Sequence, residues 1–213
     1  MKKIISEEQQ ITERLKAEIR PFVQGVLDGR IKLDKIDYSI FRLRGYVRAN
    51  MINVIMGQLS VDSLTTPQNM ATSLFNYLGF VETIGNSIVD IIIMLVIANG
   101  IDFHVESEYK TPRIRHVKHI FDLDDAPLRT KLNFLRENGI KTLPSVIDSK
   151  LRNDIAHLNF IFDPDTKETT LRGRPVKTVV NEGFKRFMLI FAVIGELERL
   201  EALWKDPSPA TRA

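Results

Sequence analysis

Apolar residues recur at helical spacing along most of this chain. Ile11, Leu15 and Ile19 repeat every four positions, and Ser6 with Gln9 three residues on has the pattern of a capping box. Pro21 should kink or end this first helix, Phe22 to Leu27 can continue it, and Gly29 supplies a stop. Asp34 opens a second long helix with Ile36, Ile40, Leu43, Val47, Met51 and Val54 along one side. After a connection from Gly57 to Thr65, Thr66 offers a capping hydroxyl and Pro67 takes the first position of a third helix. That helix runs to Asn99-Gly100, with Gly79 and Gly85 as points where it can bend.

Beyond it the pattern breaks. Phe103 to Phe121 has little periodicity, contains Pro112 and many cations, and reads as mostly loop. Asp124 or Asp125 ahead of Pro127 starts a short helix through about Asn138-Gly139. Ser145 starts another, with Asp148 at the box position, and Ile147, Leu151, Ile155, Leu158 and Phe162 fall within about 40° of Leu151 as a core stripe. Between Thr166 and Val180 the character changes. Thr169, Thr170, Val176, Val179 and Val180 favour strand, and Gly173 with Pro175 favours a turn, so a small β-hairpin excursion is expected at 166–180. Asn181 then caps a final helix that is apolar nearly all round from Phe187 to Ile194 and should be central. The expected product is an all-α bundle of five to six helices with a β-hairpin before the last one. It forms a single domain over 1–205, followed by a flexible tail at 206–213.

Composition supports that outline. A chain of 213 residues with 44% hydrophobic and 27% charged positions builds one domain with a useful core and is not disordered. The absence of Cys excludes disulfides, thiolate zinc sites and a Cys nucleophile. A formal charge of +3 is compatible with a nucleic-acid partner without demanding one. Lys2 and Lys3 precede only two apolar residues, so no signal peptide is expected. The most apolar run, Ile88 to Ala98, is interrupted by Asp90 and falls short of the roughly 20 residues that a bilayer requires. It reads as a core helix of a cytoplasmic protein with no membrane partner.

One segment carries chemistry: Leu151-Arg152-Asn153-Asp154-Ile155-Ala156-His157. On an ideal helix Asn153 and His157 are neighbours on the face away from the core stripe. Arg152 lies further round, with a side chain long enough to reach back over Ala156. Phe160 falls on the same outer face. A Phe and an Ala there call for a cover, and a second subunit is the simple one, so Ala156 and Phe160 are candidate dimer-interface residues.

The segment resembles the HEPN superfamily. Arg152-Asn153-x3-His157 matches that superfamily's Arg, four to six residues, His motif, including the polar residue directly after the Arg. A late helix of an all-α chain of this size is also the matching setting. Requiring that Asn makes a chance match about twentyfold rarer. The looser pattern also fits Arg113 and His119, in a segment not read as helix.

The resemblance implies a metal-independent, cofactor-free endoribonuclease, in some relatives a toxin or defence effector, whose two motifs meet across a homodimer. Arg152, Asn153 and His157 would then be the catalytic residues and RNA the substrate. His157 exchanges a proton with the 2′-OH or the leaving 5′-oxygen, Arg152 holds the scissile phosphate, and Asn153 orients His157 or a phosphate oxygen. Products would be 2′,3′-cyclic phosphate and 5′-OH ends. An antitoxin or regulatory partner protein goes with the toxin role. In toxins neutralised by a partner nucleotidyltransferase, a Tyr stands two positions after the His; here it is Asn159. Other relatives do not cleave, so a non-catalytic dimerisation or interaction module is the alternative.

Weaker candidates lie elsewhere. Lys110, Arg113, Arg115 and Lys118, beside Tyr109, form a basic segment able to track an RNA backbone, although a solvated cationic loop is the more common explanation. His104, Glu106, Glu108, His116 and His119 are metal-capable residue types without a ligand spacing, and no metal is expected. Arg172, Arg174 and Lys177 near the hairpin turn are compatible with phosphate binding, but a solvent-facing turn is the default reading.

Overall fold

The computed structural model describes residues 6–31, 67–106, 114–117, 120–124 and 126–205. The expected helix from Asp34, the connection from Gly57 and the tail at 206–213 lie outside the described residues. The described chain is mostly helical, with a small three-stranded antiparallel sheet.

Helix α1 (Glu7–Leu27) begins with the expected capping box. The Ser6 hydroxyl accepts from the Gln9 N–H at 3.2 Å, and the Gln9 side chain accepts from the Ser6 N–H at 3.1 Å. Pro21 lies inside the helix and does not end it, because Val23 and Val26 extend the buried stripe of Leu15 and Ile19. Gly29, with φ of 68°, then turns the chain as only a residue without Cβ does cheaply.

The centre is one long helix in three parts: α2 (Pro67–Phe80), a wide π turn over Val81–Gly85, and α3 (Asn86–Ala98). The wide turn lies between the two glycines at which bending was expected. Its loosened carbonyls find side-chain donors: Thr83 Oγ1 donates to the Gly79 carbonyl at 2.6 Å, and Asn86 Nδ2 donates to the Glu82 carbonyl at 3.2 Å. Leu74 to Ala98 is long and apolar enough to cross a bilayer, which the shorter run at Ile88 did not suggest. However, 72% of its most apolar window is buried inside the fold, against α4 and α1 among others.

After it, two three-residue strands stand within the segment expected to be mostly loop: β1 (His104–Glu106) pairs antiparallel with β2 (Ile114–His116). Strands this short carry too few alternations to be seen in a sequence. Helix α4 (Leu128–Glu137) ends at Gly139, with φ of 87°. The next helical segment divides. A single turn, α5 (Leu143–Val146), gives way at the extended Ile147, and α6 (Ser149–Ala156) starts afresh. Asp148 is its cap, accepting from the Leu151 N–H at 2.8 Å, whereas Ser145 caps nothing and donates to the Thr142 carbonyl.

The expected core stripe stops with Ile155. The chain turns over at Leu158, which has φ of 54°, and enters β3 (Phe160–Phe162), leaving Leu158 57% and Phe162 54% exposed. Strand β3 pairs with β4 (Thr169–Leu171), and β4 with the short β5 (Arg174–Pro175). The excursion thus begins earlier than 166 and ends earlier than 180. Val176, Val179 and Val180 belong to α7 (Val176–Met188), where their i, i+3, i+4 spacing buries them; tertiary packing outweighs their strand preference. Asn181 is accordingly interior to α7 and not a cap. Leu189 and Ile190 separate α7 from α8 (Phe191–Lys205), so the expected last helix is two. Helix α8 lies along α1, where Glu196 pairs with Arg20 at 2.8 Å.

Candidate functional site

The central helix carries only two charged residues between Pro67 and Ala98, Glu82 and Asp90. Each is met by a cation from a later helix. Lys131 of α4 reaches Asp90 at 2.8 Å, with side-chain exposures of 4% and 1%. Arg152 of α6 reaches Glu82 through its Nε, where both side chains remain about one-third exposed. Asn86 Nδ2 supports the second Glu82 oxygen at 3.2 Å. The sequence reading missed Glu82. The signal was present: an isolated carboxylate in an apolar helix needs a partner.

Arg152 is held from its other side by its neighbour, because Nη1 donates to Asn153 Oδ1 at 2.8 Å. Two of the guanidinium's five N–H donors are thereby used. The remaining three, one on Nη1 and both on Nη2, meet no partner among the described residues. Asn153 therefore orients Arg152 and not His157. Glu82 and Asn153 together fix the planar fork and leave donors on both Nη1 and Nη2, an arrangement suited to an end-on pair of bonds to an oxyanion.

Arg152 and Asn153 line a cleft of about 330 Å³ between α6, the π turn and the start of α4. Arg129 and Lys131 stand on its α4 side, Asn86 and Glu82 on its central-helix side. Arg129 has no ion pair or hydrogen bond among the described residues, and it is a second functional candidate that sequence reasoning passed over.

His157 follows the last residue of α6 as its C-cap, with its N–H on the Asn153 carbonyl at 2.9 Å. Its imidazole is exposed, has no partner among the described residues, and does not line the cleft. No hydrogen bond joins it to Arg152, which turns toward Glu82 and does not reach back over Ala156. Five residues of helix separate the two side chains by about 7.5 Å along the axis and 140° around it.

The hairpin excursion is fastened to this helix. Arg172, at the β4–β5 turn, forms an ion pair with Asp154, whose other oxygen accepts from Asn159 Nδ2 at 3.2 Å. Burial raises the Asp154 pKa, but hydrogen bonds from Asn159 and Arg172, with the Arg172 charge, outweigh it and leave the carboxyl below its ordinary value. Arg174 is likewise spent, on Glu182 at 2.7 Å. These hairpin cations hold structure together.

The remaining candidates separate. Ala156 is exposed at the end of α6, but Phe160 is half-buried against the core because it starts a strand and does not continue a helix. The exposed apolar side chains beside the motif are instead Leu158, Ile161 and Phe162, with Ile161 73% exposed. Arg115 lies on β2, while Lys110, Arg113 and Lys118 fall outside the described residues. Of the metal-capable types, His104 and Glu106 lie on β1 and His116 on β2, where His116 Nδ1 is 2.9 Å from Asp102 Oδ2. Glu108 and His119 fall outside the described residues. Among the described residues no group of three such side chains is placed to hold a metal ion.

No family model matches this chain, and neither a curated protein nor a solved structure matches it.

Proposed function

We propose that this protein is a HEPN-like, metal-independent endoribonuclease that works as a homodimer, with Arg152 and His157 as catalytic residues and Asn153 positioning Arg152. The observation that carries the reading is the state of Arg152. It is fixed on two sides with three donors unspent among the described residues, and the exposed His157 caps the same short helix. A late helix in a mostly helical chain is also the setting that the superfamily's motif occupies.

RNA supplies its own nucleophile. A base takes the proton from the 2′-OH, the oxygen attacks phosphorus, and the P–O5′ bond breaks as an acid protonates the leaving oxygen. The unspent Arg152 donors stabilise charge building on the non-bridging oxygens. One imidazole cannot take and give protons on both sides of the phosphate in one step, so a second copy's His157 completes the pair. Because Arg152 and His157 of one chain point about 140° apart, pairing Arg152 with the His of another copy is also the simpler geometry. The role is that of a toxin or defence effector held in check by a partner protein. Asn159 is engaged with Asp154, so that control does not run through a Tyr at its position.

The test incubates total RNA in excess chelator with wild type, His157→Ala and Arg152→Ala. Fragments with 2′,3′-cyclic phosphate ends from wild type, and losses of at least a hundredfold in each variant, are expected. Cleavage that persists in both variants rejects the assignment. A second reading, an interaction module without catalysis, draws on the exposed Leu158, Ile161 and Phe162. It gains if wild type cleaves no RNA and Phe162→Asp abolishes self-association.

A further inference from the structure

We infer that the cleft beside Arg152 seats one nucleotide of single-stranded RNA, the one adjoining the scissile phosphate, with Arg129 holding its far phosphate; this rests on the RNA-cleaving reading above. The cleft's 330 Å³ lies within the range of sites that enclose small ligands, roughly 300–1,000 Å³. Its floor is rigid, because Lys131 is locked on Asp90 beneath it.

The chemistry of the lining narrows the ligand. Lys131 with Asp90 and Arg152 with Glu82 cancel in charge, so the cleft is no well for a polyanion. Unspent donors remain, namely three on Arg152 and those of Arg129. The first turn of α4 adds a field of the same sign, since its cap, Pro127, makes no side-chain hydrogen bond to the leading N–H groups. Asp124, the amide-bearing Asn153 and the hydroxyl-bearing Ser149 also line the cleft. Ala126, Pro127 and Leu128 give one wall an apolar face. Bare phosphate uses only the donors, and a cation only the acceptors. A nucleotide uses all three features: the phosphate takes the arginines, base and ribose edges trade hydrogen bonds with the amide, carboxylate and hydroxyl groups, and the flat face of the base lies on the apolar wall.

The test titrates the intact protein with each of the four ribonucleoside 5′-monophosphates and, separately, inorganic phosphate, following amide and side-chain NMR signals of α4 and α6. At least one nucleotide should move the signals of Arg129, Ser149 and Asn153 saturably. Arg129→Ala, an exposed substitution, should weaken that binding about tenfold, and Arg129→Lys should restore part of it. The inference is overturned if no nucleotide saturates these signals, if Arg129→Ala binds like wild type, or if inorganic phosphate binds as tightly as every nucleotide. Catalysis fails independently. Nucleotide binding without RNA cleavage keeps the cleft and removes the nuclease, and cleavage without nucleotide binding does the reverse.

Discussion

The pair formed by Asp90 and Lys131 gives the sharpest energetic prediction. The two groups are 2.8 Å apart, and both side chains are at most 4% exposed. Replacing one partner removes this ion pair from the core while the other charge stays buried, which costs about 3–5 kcal/mol. For a chain of this size each kcal/mol lowers Tm by about 2–4 °C, so Asp90→Leu and Lys131→Met should each lower it by roughly 6–20 °C. The double variant removes both charges and keeps similar volume, so it should lie within about 2 kcal/mol of wild type and well above either single variant. Urea unfolding of the four proteins closes a double-mutant cycle. Single losses below about 1 kcal/mol, or a double loss equal to the sum of the singles, would refute the claim that this pair is a desolvated, mutually dependent unit.

Two further outcomes follow from the packing and from the charges. A Cβ on Gly183 would lie 2.6 Å from Leu151 Cδ2 and 3.1 Å from Tyr77 Cε2, both side chains fully buried. The crowding in Gly183→Ala, about 1–3 kcal/mol, should therefore exceed the gain in helix propensity of about 1 kcal/mol, and a variant that melts above wild type would contradict it. Hydrogen bonds from Arg20 and Arg199 hold the Glu196 carboxyl below its ordinary value of 4.5, against the opposing effect of burial. Its stabilising contribution is thus present above the unfolded pKa and lost as pH falls through the lower folded one. Urea midpoints should drop below about pH 4.5, and Glu196→Gln should flatten that acid limb; an unchanged limb would remove Glu196 from the account.

The helices that the sequence made plain are those whose own spacing decides them. Helix α1 has its box at Ser6 and Gln9 and its stop at Gly29, and α4 ends on Gly139. Elsewhere, outcomes rest on contacts distant in sequence. Val176, Val179 and Val180 prefer strand as isolated residues and become helix because α7 packs on α2. Leu158 and Phe162 continue a helical stripe on paper, but the turn secured by Asp154 and Asn159 carries them into the open. For the site, the residue types on α6 were readable, but their partners were not. Glu82 lies 70 positions before Arg152, and the connection between them appears only once the central helix and α6 pack together.

The wide turn at Val81–Gly85 also sets how this protein tolerates changes in length. A residue more or less in an ordinary α-helix rotates everything beyond it by about 100°, and a π turn absorbs one such residue within the helix. Glu82 is inside that turn and Asp90 is beyond it, so the turn keys two separate docking faces to each other. Deleting a single residue within the turn would return the helix to regular winding with Asp90 still aimed at Lys131, and would change the direction in which Glu82 leaves the helix toward Arg152. The chemistry on α6 is therefore bound to the counting of residues in a helix that contributes no catalytic group of its own.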